Sequence, residues 1–264
     1  NYWLKKRILI WQSGVVKMCF KDKFHTAIFL GEFQVLSTWL AILICKFRGI
    51  QVVFWTHGIY GNESFIKKKV RVLFYNKADK ILLYENRAKK LLIEEGINSE
   101  KMLVIYNSLN YDKHLNIRKE IQIQNKSKFN NELLFSDTEK PYLVFVGRLT
   151  KIKKLDLLIK ALGKINGKGD KVNLLLIGEG TIRDELEILV NKLNLDKNVM
   201  FYGACYDEVK LANFIYYAAL CVSPGNVGLT AIHALSFGTP VCTHSNLYNQ
   251  MPEVEVIKEG FTGC

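Results

Sequence analysis

The stretch YLVFVGRLTKIKKLDLLIKAL, residues 142–162, sets an unbroken apolar run before a glycine, an arginine and a lysine-rich turn, after which a second apolar pattern begins. Tyr142 to Val146 is aromatic and β-branched with no polar interruption, the composition of a strand buried on both faces. Beyond Lys153 and Lys154 the apolar positions continue through Leu157, Leu158 and Ala161 at helical spacing. A strand that turns through glycine straight into a helix is half of a βαβ unit, and chains built of such halves form parallel sheets with helices on both faces.

The same rhythm runs through most of the 264 residues. Strand candidates before this stretch are His25 to Leu30, Ile50 to Trp55, Lys80 to Leu83 and Met102 to Ile105. After it come Asn173 to Ile177, Val199 to Tyr202, Leu220 to Ser223 and Pro240 to Thr243. Helix-length stretches at 63–76, 86–95, 154–166, 180–193 and 207–218 separate them. The polar run from Tyr111 to Lys140 keeps no sustained period and reads as a junction, with a short edge element expected near 117–124. The expected fold class is therefore α/β with two Rossmann-like, doubly wound parallel-sheet domains, over 1–110 and 141–264, with a linker over 111–140.

Formal net charge is +12, unevenly placed: residues 1–110 hold 18 Lys+Arg against 8 Asp+Glu, and 111–264 hold 19 against 17. A basic half implies an anionic surface or ligand. No motif of a nucleic-acid-binding fold accompanies the charge, so anionic lipid headgroups or an anionic acceptor are the better expectation than nucleic acid. The six cysteines show no CxxC and no regular spacing, which favours free buried thiols over disulfides or zinc. The apolar run VLSTWLAILIC, Val35 to Cys45, is too short to span a bilayer and reads as a buried helix. The chain opens on Asn1 and closes on Cys264 directly after a turn-like EGFTG, which reads as a piece cut at both ends.

Ligands of doubly wound sheets bind beyond the carboxyl ends of the strands, so the strand-to-helix turns are where chemistry is expected. In VFWTHGIYG, His57 and Gly58 follow a buried strand; a histidine there can exchange a proton or hydrogen bond near neutral pH, or simply be a surface turn residue. In the opening stretch, Gly147 ends the strand and Arg148 can fork onto a phosphate, with Lys153 adding a point charge in the same corner. Gly178-Glu179-Gly180 is a tight turn before a helix, lacking the third glycine of a dinucleotide fingerprint. Gly203, in FYGACYDEV, lets backbone approach a base, with Tyr206 beside it. In SPGNVGLTAIHALSFGTPV, residues 223–241, Gly225, Asn226 and Gly228 allow a tight turn, and the amides from Val227 through Leu229 to Thr230 open a helix as an anion site. His233 lies one turn further, facing either that site or the core.

In this order, these turns resemble the retaining GT-B glycosyltransferases of family four, also described as glycosyl transferases group 1, over nearly the whole chain. The resemblance is carried by G-R-L-x-x-x-K at Gly147, Arg148, Leu149 and Lys153, by G-E-G at 178–180, and by Ser223-Pro224. G-L-x-x-x-x-A at Gly228, Leu229 and Ala234, then G-T-P-V at 238–241, completes it. It implies a hexosyltransferase that moves a sugar from a nucleotide diphosphate sugar to an acceptor hydroxyl, with retention, using no cofactor and no bound metal. His57, Arg148 and Lys153 then carry catalytic roles. Gly58, Gly147, Gly178, Glu179, Gly203, Tyr206, Gly225, Asn226, Gly228, Leu229, Thr230 and His233 line the donor site. The first domain becomes the acceptor side, N-terminally incomplete, and the second the donor side, C-terminally incomplete. The family usually has glutamates at the positions of Gly225 and His233; a neutral imidazole can replace the second on a ribose, while Gly225 offers backbone alone, with Asn226 as a substitute. The expected setting is cytoplasmic, peripheral on the inner face of the membrane, building a lipid-linked bacterial surface glycan such as lipopolysaccharide or capsule. A GT-B nucleotide-sugar epimerase and a degenerate, non-catalytic GT-B subunit are the competing readings.

Overall fold

The structure is a computed structural model that describes residues 2–4, 9–59, 61, 63–124, 134–135, 140–169 and 172–264. The chain divides into two compact units, Asn1–Tyr106 and Asn107–Cys264.

In the first unit a short antiparallel hairpin, β1 (Tyr2–Leu4) and β2 (Leu9–Trp11), precedes α1 (Val15–Lys21). Then β3 (Thr26–Leu30), α2 (Leu36–Phe47), β4 (Gln51–Thr56), α3 (Phe65–Tyr75), β5 (Lys80–Leu83), α4 (Asn86–Glu94) and β6 (Met102–Val104) alternate. The four strands form a parallel sheet in the order β3-β4-β5-β6. Position in the sheet shows in the residues. In central β4, Val52, Val53 and Phe54 are all buried, as expected for a strand covered on both faces. β3 alternates, with Ile28 and Leu30 exposed, and no strand among the described residues pairs with its outer edge. The run VLSTWLAILIC is α2, whose Ala41, Ile42 and Cys45 are buried in the unit's core beside Phe54 and Phe74.

The second unit begins with α5 (Tyr111–Gln124). β7 (Tyr142–Val146), α6 (Leu155–Gly167), β8 (Asn173–Ile177), α7 (Arg183–Lys192), β9 (Val199–Gly203), α8 (Glu208–Tyr216), β10 (Leu220–Ser223), α9 (Thr230–Ser236) and β11 (Val241–Thr243) follow. The sheet is parallel throughout, in the order β11-β10-β7-β8-β9. It carries a core on each face, and the period-2 alternation of strands assigns the residues. Val144, Leu175 and Ile177 face Phe214, Ile215 and Phe237, while Phe145, Leu174 and Leu176 face Leu155, Ile159 and Leu162. β8 is buried at all five positions because it lies between two strands and two helical layers. Each such leucine contributes about 1.5–3 kcal/mol relative to exposure.

Strand and helix bounds agree with the sequence pattern to within one to three residues, and both parallel α/β units are present. The junction needs correction. Where a linker was expected over 111–140, α5 spans 111–124 and buries His114, Ile117 and Ile121. These positions, spaced i, i+3 and i+7, share one face. Residues 125–133 and 136–139 of that stretch lie outside those described. All six cysteines are free, with Cys19, Cys45 and Cys221 buried. Among the described residues no helix is long and apolar enough to cross a membrane.

Candidate functional site

From β7 the chain winds outward through β8 and β9, then returns to the other side of β7 with β10 and β11. The order therefore reverses between β7 and β10. Beyond the carboxyl ends of the strands at such a switch point the two loops diverge and leave a crevice. The turn after β7 carries Gly147, Arg148 and Lys153; the turn after β10 carries Gly225 to Thr230.

These turns are bonded to each other. A single turn of 3-10 helix, Lys151–Lys153, follows Arg148, and the Lys153 ammonium donates to the Asn226 carbonyl at 2.7 Å. Thr230 Oγ1, at the start of α9, donates to the Val146 carbonyl at 2.9 Å. Gln250 braces the loop from the far side: its Oε1 accepts from the Val227 amide at 2.8 Å, and its Nε2 donates to Thr243 Oγ1 and the His244 carbonyl, each at 2.9 Å. Burial and the neighbouring Arg148 guanidinium push the Lys153 pKa below its usual range, while the buried Glu253 pulls it back up. Arg148 is exposed, so the corner offers one solvent-facing guanidinium and one half-buried ammonium. The Asn226 side-chain oxygen is buried with no partner among the described residues, an acceptor that a hydroxyl or N–H group would satisfy.

The glycines have identifiable reasons. A Cβ on Gly178 would lie 1.9 Å from the Gly147 carbonyl oxygen, and one on Gly180 would lie 2.1 Å from that of Leu149. The β7 and β8 turns stay in contact after the strands end, through Gly147 N to Ile177 O and Leu149 N to Glu179 O, both 2.9 Å. Gly178 N donates in turn to the Gly203 carbonyl at 2.8 Å, which ties the third turn to the other two. At Gly225 a Cβ would fall 2.0 Å from the Ile152 carbonyl oxygen and 2.6 Å from Lys153 Cα, so the 3-10 turn closes the space a side chain would need. Gly228 has no neighbour within 4 Å of such a Cβ.

Other anticipated residues sit differently. Glu179 pairs with Arg183 at 2.6 Å on the helix side of its turn. Tyr206 is 95% exposed. His233 turns its Nε2 to Glu208 Oε1 at 2.9 Å and stacks on His114, so its ring lies in a cluster of its own. His57 and Gly58 belong to the first unit. His57 follows β4, half-buried and packed against Tyr84 with ring centroids 4.5 Å apart and planes tilted by 30°. The turn beneath it is clamped: the Gly58 carbonyl accepts from Arg71 Nη1 at 2.8 Å and from the Tyr75 hydroxyl at 3.1 Å. Gly58 has φ +74°, and a Cβ there would meet that of Ala88 at 3.0 Å. Arg71 is buried and paired with Glu63 at 2.8 Å.

Sequence reasoning missed Gln250, Glu253, Glu208 and His114. Gln250 and Glu253 lie in aperiodic turns, and the partners of the other two come from distant helices, so local spacing carried no sign of any of them. Glu253 is held by the Asn107 side-chain amide at 2.9 Å.

Comparison with known proteins places these features. The family model "Glycosyl transferases group 1" matches residues 126–264. An uncharacterised glycosyltransferase of Methanocaldococcus jannaschii is 28% identical over 190 residues, covering 70% of this chain and 43% of that one. Alpha-monoglucosyldiacylglycerol synthase of Streptococcus pneumoniae is 27% identical over 196 residues, covering 72% and 43%. The crystal structure of Anabaena Alr3699/HepE in complex with UDP superposes with a TM-score of 0.71 at 18% identity, covering 94% of this chain and 66% of that one. The chain thus spans about half the length of the curated relatives it matches.

Proposed function

Since the chain belongs to the glycosyl transferases group 1 family, we propose that it is the sugar-transferring part of an enzyme that moves a hexose from a nucleoside diphosphate sugar to a hydroxyl of a lipid-linked glycan acceptor. The observation that carries this reading is the junction of the β7 and β10 turns, where Lys153 holds the Asn226 carbonyl and Arg148 stays open to solvent. Two cations there neutralise the charge that develops on a departing diphosphate, the service a metal ion gives in other transferases, so the reading requires no metal. Apart from the Val227 amide, which Gln250 holds, the loop Gly225 to Thr230 supplies amides to the phosphates, and the unpartnered Asn226 oxygen accepts a donor-sugar hydroxyl in place of the usual carboxylate. For His57, in the first unit, the sugar-contacting role rests on the family resemblance of its turn alone. His233 receives no ribose contact, because Glu208 already engages its Nε2. A structural neighbour solved with UDP supports a uridine nucleotide as first donor to try. Retention of anomeric configuration accompanies this reading.

A lipid-linked acceptor, used at the membrane surface in building a surface polysaccharide, is supported by the basic first half. On α3, exposed Lys67 and Lys69 stand beside exposed Phe65 and Ile66, a pairing suited to an anionic interface. A relative named for diacylglycerol glucosylation points the same way. Arg148→Ala in the full-length enzyme tests the catalytic core of the proposal. Arg148 is exposed, so the fold is expected to survive while transfer is lost; retained transfer refutes the assignment. The closed position at Gly225 favours one second reading, a nucleotide-binding subunit without turnover, which would bind UDP but transfer no sugar to any acceptor.

A further inference from the structure

Away from the diphosphate corner, the first turns of three helices of the second unit converge. α8 and α9 start just beyond the carboxyl ends of β9 and β10, and the first turn of α5 packs onto both. Each contributes one side chain: His114 from α5, Glu208 from α8 and His233 from α9. Both imidazoles aim Nε2 at the same carboxylate oxygen, His114 at 3.1 Å and His233 at 2.9 Å from Glu208 Oε1. The two rings stack with centroids 4.8 Å apart and planes 24° from parallel, and Phe237 packs against both. The three ligand atoms all lie within 4.8 Å of one another.

We propose that His114, Glu208 and His233 form a binding site for a divalent first-row transition metal of the zinc class. Two neutral imidazoles and one carboxylate are the donor set such ions take, with a water completing four-coordination. In a tetrahedral site with bonds of about 2.0–2.1 Å, neighbouring ligand atoms stand about 3.3 Å apart, so the observed 2.9 and 3.1 Å need a small outward adjustment, and the two nitrogens, within 4.8 Å of each other, settle to the same spacing around the ion. Calcium and magnesium favour all-oxygen shells of six or more ligands, which this pair of nitrogens does not offer. The His114 and His233 side chains are 5% and 12% exposed, whereas Glu208 is 31% exposed and provides the way in for the ion and the fourth ligand.

Binding turns the Nε2 lone pair of each imidazole to the ion, so any proton held there moves to Nδ1. His114 Nδ1 is buried with no partner among the described residues, so no neighbouring donor blocks that shift, although the N–H it creates has no acceptor there and weakens binding by that cost. The bound ion would fasten α5 to α8 and α9, and it lies outside the Arg148–Lys153 corner that serves the diphosphate.

The test is calorimetric titration of the chelator-treated full chain with Zn2+, together with the d–d absorption of bound Co2+. Expected are one ion per chain, a tetrahedral Co2+ spectrum that Zn2+ bleaches, and a thermal midpoint raised by Zn2+. Glu208→Gln keeps the side chain's shape, and His114→Phe keeps the ring stack; each should weaken Zn2+ binding at least about tenfold while metal-free melting shows a folded protein. His25→Ala, at an exposed position in the other unit, should leave it unchanged. Absence of Zn2+ binding in the parent, or affinity retained in both Glu208→Gln and His114→Phe, overturns the proposal.

Discussion

Gly225 stands where the family usually has a glutamate, and the structure gives the cost of any side chain there. Gly225→Ala adds one methyl carbon, which would lie 2.0 Å from Ile152 O, 2.6 Å from Lys153 Cα and 2.7 Å from the Lys153 carbonyl carbon. Comfortable contacts begin near about 3.5 Å, so the backbone of the 3-10 turn must retreat by more than about 1 Å. That turn is held at both ends, by Lys153 N on Thr150 O at 2.9 Å and by Lys153 Nζ on Asn226 O at 2.7 Å, so it does not yield freely. Forced insertion of a methyl group into a packed site costs about 1–3 kcal/mol. For a chain of this size each kcal/mol lowers the melting midpoint by about 2–4 °C. Gly228→Ala is the internal reference: its added carbon meets nothing within 4 Å, so it should stay within about 0.5 kcal/mol of the parent. Urea denaturation of the three proteins, compared by midpoint at unchanged slope, makes the measurement. A Gly225→Ala midpoint equal to that of Gly228→Ala would refute the claim that the turn seals this position.

The same corner predicts a pH effect. The folded-state pKa of Lys153 lies below the usual 10.5, so between the two values the unfolded chain holds a proton the folded chain has lost, and stability rises with pH across that window. Lys153→Met should flatten this rise in pH-dependent denaturation, and an unchanged slope counts against the desolvated ammonium. In the first unit, Glu63→Ala strands the buried Arg71 charge and should cost about 3–5 kcal/mol in thermal melts, with a loss below 1 kcal/mol as the contrary result. Finally, the chain should float with anionic liposomes at low salt and be released as ionic strength rises; failure to float at low salt sinks the membrane reading.

Both parallel sheets could be read from the sequence because buried parallel strands announce themselves locally. Asn173 to Ile177 and Tyr142 to Val146 are apolar runs bounded by glycine, and no distant residue is needed to recognise them. α5 was hidden because the three residues buried among its described positions, His114, Ile117 and Ile121, are diluted by lysine, asparagine and glutamine around them. Gly147, Arg148, Lys153 and Gly225 to Thr230 could be placed in the turns after β7 and β10 because strand ends locate them along the chain. Their mutual contacts could not, since Lys153 reaches Asn226 across 73 residues. The cluster of His114, Glu208 and His233 was unreadable for the same reason: spacing showed a lone histidine in a short helix, and its partners come from two other helices.

The glycine contacts also bear on how chains of this kind are to be judged active or retired. Gly178 and Gly180 are glycine because the Gly147 and Leu149 carbonyls leave no room for a side chain, a demand made by the meeting of two backbones and independent of any ligand. A descendant that had stopped turning over substrate would still need them in order to fold. The glycine signature in these turns therefore certifies the scaffold and says little about whether the enzyme works. Evidence of a living site has to come from residues that the fold does not require, and in this corner the exposed Arg148 is the side chain that folding alone would let drift.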